Sequence, residues 1–355
     1  MKKVIIFLSI VVFFSTNGLT QTKNVNVDNL GFLASWRNLP ENPLNPVYFT
    51  YAVKINGTVA KSGAISAEEL ANLASIAGQV KVNNPSEANV VLELTFGSLI
   101  ITENRVDERK EEKKDKKTGA VTTTYYYKAV VKYTFESSYL IKKGQTVLQS
   151  KSVYSASSPF SYQSTEYDNR KAAYDFWNDN KSALIAQFYR ELATKTANAL
   201  TETASRLYGF PAVTKSYDII KTINEKKHDE NEAFRAASST LKDALTAMTP
   251  DIPMNREKVD GLIDYFKSIP QRYADPDSKA DTRLRYAAWY NLCKIYLYLD
   301  EPEKVEEFAL LLANNDYDRK DGPKMIKEAE ELRAVFEKTG IHTRHFIPEE
   351  YFSQK

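Results

Sequence analysis

The chain opens on Met1, Lys2 and Lys3, and from Val4 to Phe14 it is apolar except at Ser9. Small and polar residues follow, from Ser15 to Gln21. A short cationic flank, an apolar stretch and small residues form the pattern of a cleavable secretory signal. The apolar stretch is well short of the roughly 20 residues that an apolar helix needs to span a bilayer. The pattern therefore predicts cleavage between Gly18 and Gln21 and an exported mature chain. No cysteine lies near that point, so lipid attachment through a lipobox-type cysteine is not expected. No later segment is apolar and long enough to cross a membrane.

Beyond the signal, the first half alternates with period two. Residues 47–55 are dense in β-branched and aromatic types, and Asn56-Gly57 followed by residues 58–61 predicts a type I′ hairpin. Residues 66–80 read as a helix: Ser66 caps it, Glu68 and Glu69 fill the first turn, and Leu70, Leu73, Ile76 and Ala77 share a face. A strand is expected over 90–101. The clearest alternation runs over 121–141, with Tyr125, Tyr127, Ala129, Val131, Tyr133, Phe135, Tyr139 and Ile141 on one side. Lys128, Lys132, Thr134, Glu136 and Ser138 lie on the other, as an antiparallel sheet with one covered face requires. Between these strands, residues 108–119 carry dense mixed charge and read as a solvated, mobile hairpin tip. The functional alternative for that tip is a docking finger for an acidic partner. A long helix is expected from Asp179-Asn180 to Tyr208, with Gly209 as a left-handed cap and Pro211 as the stop.

Past Pro211 the period becomes 3.6. Residues 257–266 and 303–312 share the opening Glu-Lys-Val and an apolar stripe. The stretch 288–305 carries Trp289, Leu292 and Tyr296 and resembles a tetratricopeptide repeat, whose first helix bears Trp, Leu and Tyr at this spacing. Cys293 and Val305 stand where that family has smaller residues, and Asp300-Glu301-Pro302 replaces its glycine-containing turn. The resemblance implies helix pairs that stack to cover one another's apolar faces and leave a concave surface. An irregular bundle without a groove is the alternative. The order of elements in the first half, with the phrase 88–94 opening a strand, resembles the small α/β domains of envelope proteins of the TolB amino-terminal and CsgG periplasmic types. That likeness carries over no functional residues.

The expected fold class is therefore α+β: an amino-terminal antiparallel sheet packed by helices, then an all-α helical-repeat region. The expected divisions are a signal peptide over 1–20, an extended segment over 21–46, an α+β domain over 47–210, a helical region over 211–340 and a tail over 341–355.

Charge narrows the choice of partners. The 355 residues hold 48 Lys and Arg against 46 Asp and Glu, and loss of Lys2 and Lys3 leaves a balance of zero. A neutral chain has no global field to draw it onto nucleic acid or an anionic membrane. The single cysteine, Cys293, lies within a helical pattern and cannot form an internal disulfide. Burial makes it an unpromising nucleophile.

Of the three histidines, His342 and His345 stand three apart, a metal-compatible spacing only on a helix, and they follow Gly340. His228 stands among charged residues in an expected solvated linker. Glu68-Glu69 and the Asp316, Asp318 pair read as surface carboxylates. No nucleotide or nucleophile-elbow motif is present. The reading assigns no catalytic, cofactor or metal residues, no cofactor, and no residues to a partner surface. It favours a non-catalytic exported protein of the cell envelope that holds a protein or peptide on its helical surface. The alternative is an exported hydrolase or carbohydrate-binding protein whose site is assembled from residues distant in sequence.

Overall fold

A computed structural model describes residues 25–57 and 64–354. The signal reading of 1–20 and the second hairpin arm expected at 58–61 lie outside the described residues. In chain order the strands are β1 (Val27–Arg37), β2 (Thr50–Gly57), β3 (Val80–Lys81), β4 (Val90–Phe96), β5 (Ile100–Lys114), β6 (Val121–Thr134), β7 (Ser137–Lys143), β8 (Thr146–Tyr154), β9 (Phe160–Gln163) and β10 (Ala212–Ile223). The helices are α1 (Ala67–Leu73), α2 (Arg170–Tyr208), α3 (Asn231–Thr246), α4 (Arg256–Arg272), α5 (Lys279–Tyr298), α6 (Pro302–Ala313), α7 (Asp321–Thr339) and α8 (Pro348–Ser353). Sheets fill the first half and helices the second, which is an α+β fold.

Two units divide the chain, and neither is contiguous. The sheet unit takes Ser35–Lys215, Met248–Pro253 and Leu332–Lys355; the helical unit takes residues 25–34, Ser216–Ala247 and Met254–Glu331. The boundaries expected at 46, 210 and 340 therefore shift. Part of the extended segment is strand β1 and belongs with the helices, while the tail belongs with the sheets. Residues 212–223, expected as the start of the helical region, form β10 and pair with β1 in a two-stranded sheet.

Within the sheet unit, five strands run in the order β3-β2-β4-β7-β8 and three in the order β5-β6-β9. The five-stranded sheet is mixed. β2 pairs in parallel with β3 and β4, while β4, β7 and β8 are antiparallel, the arrangement expected of the whole. Residues 121–141 split into β6 and β7, which lie in different sheets. The alternation survives the break because both strands turn the same side toward one core. Tyr133, Phe135, Tyr139 and Ile141 are all buried against Phe188, Leu192, Ala197 and Leu200 of α2. The Tyr133 and Phe188 rings stack at 4.6 Å. Tyr125 is the exception, beyond the end of the core and exposed.

The dense charge at 108–114 is strand and not a mobile tip: β5 continues to Lys114, and only the turn from Asp115 to Ala120 lies beyond the ladder. There, the Asp115 carboxylate accepts from the backbone of Lys117 and Thr118 at 2.8 Å.

α1 is shorter than its pattern suggests. Ser66 and Glu69 form a reciprocal capping box, but the helix ends at Leu73, so Ile76 is buried from an irregular segment. α2 starts nine residues before its expected start, because Asn169 caps it by accepting from the Ala172 amide at 2.8 Å. At its other end Gly209 has φ −112°, extended and not left-handed. Its glycine is needed for a close approach instead: a Cβ there would stand 2.6 Å from the Ala77 carbonyl oxygen, which accepts from the Phe210 amide at 2.7 Å.

In the helical unit α3 packs on α4, α4 on α5 and α5 on α6, each on its neighbour in sequence. α5 is buried along almost its whole length. Tyr296 stacks on Phe308 of α6 with centroids 5.5 Å apart, and Cys293 is buried with its thiol 3.8 Å from the Val305 carbonyl. Asp300 takes φ +61° and Pro302 stands in the first turn of α6, so the expected helix break is built as a sharp turn. No helix among the described residues is long and apolar enough to cross a membrane.

Candidate functional site

The residues singled out by chemistry are dispersed. His345 Nδ1 lies 2.7 Å from the Thr249 carbonyl, and the His342 ring lies edge-on to Phe336. The segment carrying both is not helical, so the three-residue spacing does not place the two rings on one helix face. His228 is buried and not in a solvated linker: its Nδ1 accepts from the Glu230 amide at 3.1 Å, and its ring lies against Tyr273. Burial pushes the Cys293 thiol pKa above its ordinary value, which disfavours the nucleophilic thiolate. Glu69 serves in the capping box, and Asp316 pairs with Arg319. Among the described residues no group of three or more His, Cys, Asp or Glu is placed to hold a metal ion.

A polar cluster that no sequence motif marks lies on the buried face of α5. Asn291 is fully buried and uses both ends of its amide on one backbone unit of β10. Its Oδ1 accepts from the Lys221 amide at 2.7 Å, and its Nδ2 donates to the Lys221 carbonyl at 2.8 Å. The Ser238 hydroxyl of α3 donates to the same carbonyl at 3.0 Å. One turn along, Lys294 reaches both oxygens of Asp218 at 3.1 Å, and the Tyr298 hydroxyl donates to Asp218 at 2.6 Å. β1 is held as well: Arg283 donates to the Val25 carbonyl at 2.8 Å, and Phe32 packs edge-on to Tyr298.

This face of α5 is thus covered by the chain's own strands, β1 and β10. The Lys221 ammonium donates to Asn29 at 2.9 Å and lies 4.5 Å from the Tyr290 ring centre. Burial lowers the Lys221 pKa, with Asp321 and Asp318 acting against it. Asn291, Lys294 and Tyr298 share one helix face by spacing, which is the signal that could have shown them. Their partner Asp218 could be found only by recognising β10.

A second buried group surrounds Glu230. Burial alone would raise its carboxyl pKa, but donors outweigh that and hold it below its ordinary value. Arg272 donates at 2.5 Å, Tyr265 at 2.6 Å and Tyr273 at 2.8 Å. Burial, with the Glu230 carboxylate beside it, pushes the Tyr273 phenol up to about 12. With every partner engaged, this group reads as structural.

In the sheet unit, opposite charges on the β5–β6 arm neutralise one another. Lys132 pairs with Glu103 at 2.6 Å, and Arg109 grips Glu166 through two nitrogens at 3.0 Å while lying over the Tyr126 ring. Two open clefts flank this region. One, of about 680 Å³, lies between β5 and the first turns of α2 and is lined by Asn104, Arg105, Val106, Arg170, Lys171 and Tyr174. The other, of about 460 Å³, lies among the ends of β4, β7 and β8 and is lined by four serines with Thr95, Phe96, Gly97, Glu136 and Tyr154.

No family model matches the chain, and no curated protein matches it. Among solved structures, a neuraminyllactose-binding hemagglutinin homolog from Helicobacter pylori matches at 12% identity over 46% of this chain and 95% of that chain, with a TM-score of 0.22. A likeness that weak carries no argument about fold or activity.

Proposed function

We propose that the chain is a non-catalytic, exported protein of the cell envelope that holds a protein or peptide partner, with its helical unit as the scaffold. The inner face of α5 is taken by β1 and β10, so the partner meets the outer side of the array. The observation that carries this reading is on α6. Leu310 and Leu311 stand 54% and 42% exposed on a helix whose other side, through Val305, Ala309 and Leu312, is buried. Adjacent exposed leucines on a formed helix are suited to pack against an apolar surface with little cost in backbone ordering.

The test compares what the full mature chain and a Leu310→Glu/Leu311→Glu variant retain from envelope extracts, with both checked for equal thermal stability. The expected result is a partner held by the parent chain and released by the variant. An unchanged partner set, or none for either chain, removes the scaffold reading.

A further inference from the structure

The geometry points to the cleft between β5 and the start of α2 as a binding site for an acidic saccharide. This inference goes beyond the scaffold reading and does not rest on it. Residues 104–106 and 170–174 are far apart in sequence and meet in an open cleft of about 680 Å³, within the range of roughly 300–1,000 Å³ common for small-ligand sites.

Three kinds of side chain line it, and each suits a different part of such a ligand. Tyr174 presents its ring 54% exposed, an apolar face on which the C–H side of a pyranose packs while the phenol remains in water. Asn104 offers a donor and an acceptor together, which is what a pair of neighbouring sugar hydroxyls requires. Arg170 and Lys171, at the start of α2, supply positive charge for a carboxylate.

The cations differ in how far they are already engaged. Arg105 is taken up by Glu103 and Asp107 and, alternating with Asn104 and Val106 along β5, leaves from the other face of the strand. Lys171 donates once to Asp175, at 2.5 Å. Arg170, at the first position of α2, makes no ion pair among the described residues, so its planar fork is available to a carboxylate in bidentate geometry. A neutral sugar would leave that fork unmatched, and a bare inorganic anion would leave the tyrosine ring unused. A carboxylate-bearing saccharide uses both.

Calorimetric titration of the mature chain with trigalacturonate, maltotriose and inorganic phosphate tests this. Trigalacturonate is expected to bind, at least tenfold more tightly than maltotriose or phosphate, and less tightly as salt rises because the site is open to solvent. Arg170→Ala and Tyr174→Ala should each weaken it at least tenfold, whereas Tyr174→Phe, which keeps the ring, should retain most of the affinity. Both positions are exposed, so melting temperatures should not move. Absence of trigalacturonate binding, equal affinity in the alanine variants, or phosphate binding as tightly as the saccharide would overturn the proposal. Retention of the envelope partner by the same variants keeps its failure distinct from failure of the scaffold reading.

Discussion

Lys294 is almost fully buried, and its nearer counter-charge, Asp218 at 3.1 Å against 3.9 Å for Glu328, comes from a strand 76 residues away. A buried ion pair is weak grounds for stability, because desolvation of both charges offsets most of their attraction. Removal of one partner is another matter. Lys294→Met leaves the buried Asp218 carboxylate without its ammonium partner, with the Tyr298 hydroxyl and the Ile219 amide still donating to it, and should cost about 3–5 kcal/mol. Lys294→Met/Asp218→Leu, which leaves no orphaned charge, should recover most of that loss. Urea unfolding of the three chains decides it: a single variant within about 0.5 kcal/mol of the parent would mean the pair contributes nothing. The three α5 members of the cluster were legible as one helix face. Their polarity was the overlooked signal, since a lysine and an asparagine on a buried face need partners from elsewhere.

At the level of elements, a segment's own pattern fixes its spacing but not its neighbours. Alternation over 121–141 correctly placed a buried side, yet it could not show that the chain changes sheets at Phe135-Glu136, because period two is the same in either sheet. Mixed charge at 108–114 suggested a mobile tip, but a strand whose charges pair across the ladder can be fully polar and still ordered. Gly209 was legible as a helix end, though for the wrong reason. Since its φ is negative, Gly209→Ala adds no backbone strain and its cost is steric, from a Cβ driven against the Ala77 carbonyl. A loss of about 1–3 kcal/mol is expected, the usual result of overpacking. A midpoint in thermal unfolding equal to that of the parent chain would show that the Ala77 segment yields without cost.

Taken whole, the protein is two units threaded by one chain, with crossings inside β1, β10 and α7 and at either end of Met248–Pro253. This bears on any attempt to divide it. A chain ended at Pro211 looks complete in sequence but lacks Met248–Pro253 and Leu332–Lys355 of the sheet unit. It would lose Phe346, whose ring packs edge-on to Phe210 and whose carbonyl accepts from Arg37 at 2.7 Å. It would also lose the whole of β10, the partner of β1. Such a truncation should be cleaved by dilute protease at least tenfold faster than the mature chain. Equal resistance would mean that residues 35–210 form an independent domain.

Local periodicity was enough to establish the α+β class, the sheet-then-helix order, the long helix that covers the sheets and the turn before α6. Each of these depends on side-chain spacing within one segment, which the chain displays directly. Tertiary structure alone decided which segments share a unit, that β1 and β10 cover the face of α5, and that Arg170 and Tyr174 meet Asn104 across a cleft. These depend on pairings between residues dozens to hundreds of positions apart, and a local pattern contains no record of such distances. The apolar stripe of α5 shows that something must cover it; only the folded chain shows that the cover is its own strand.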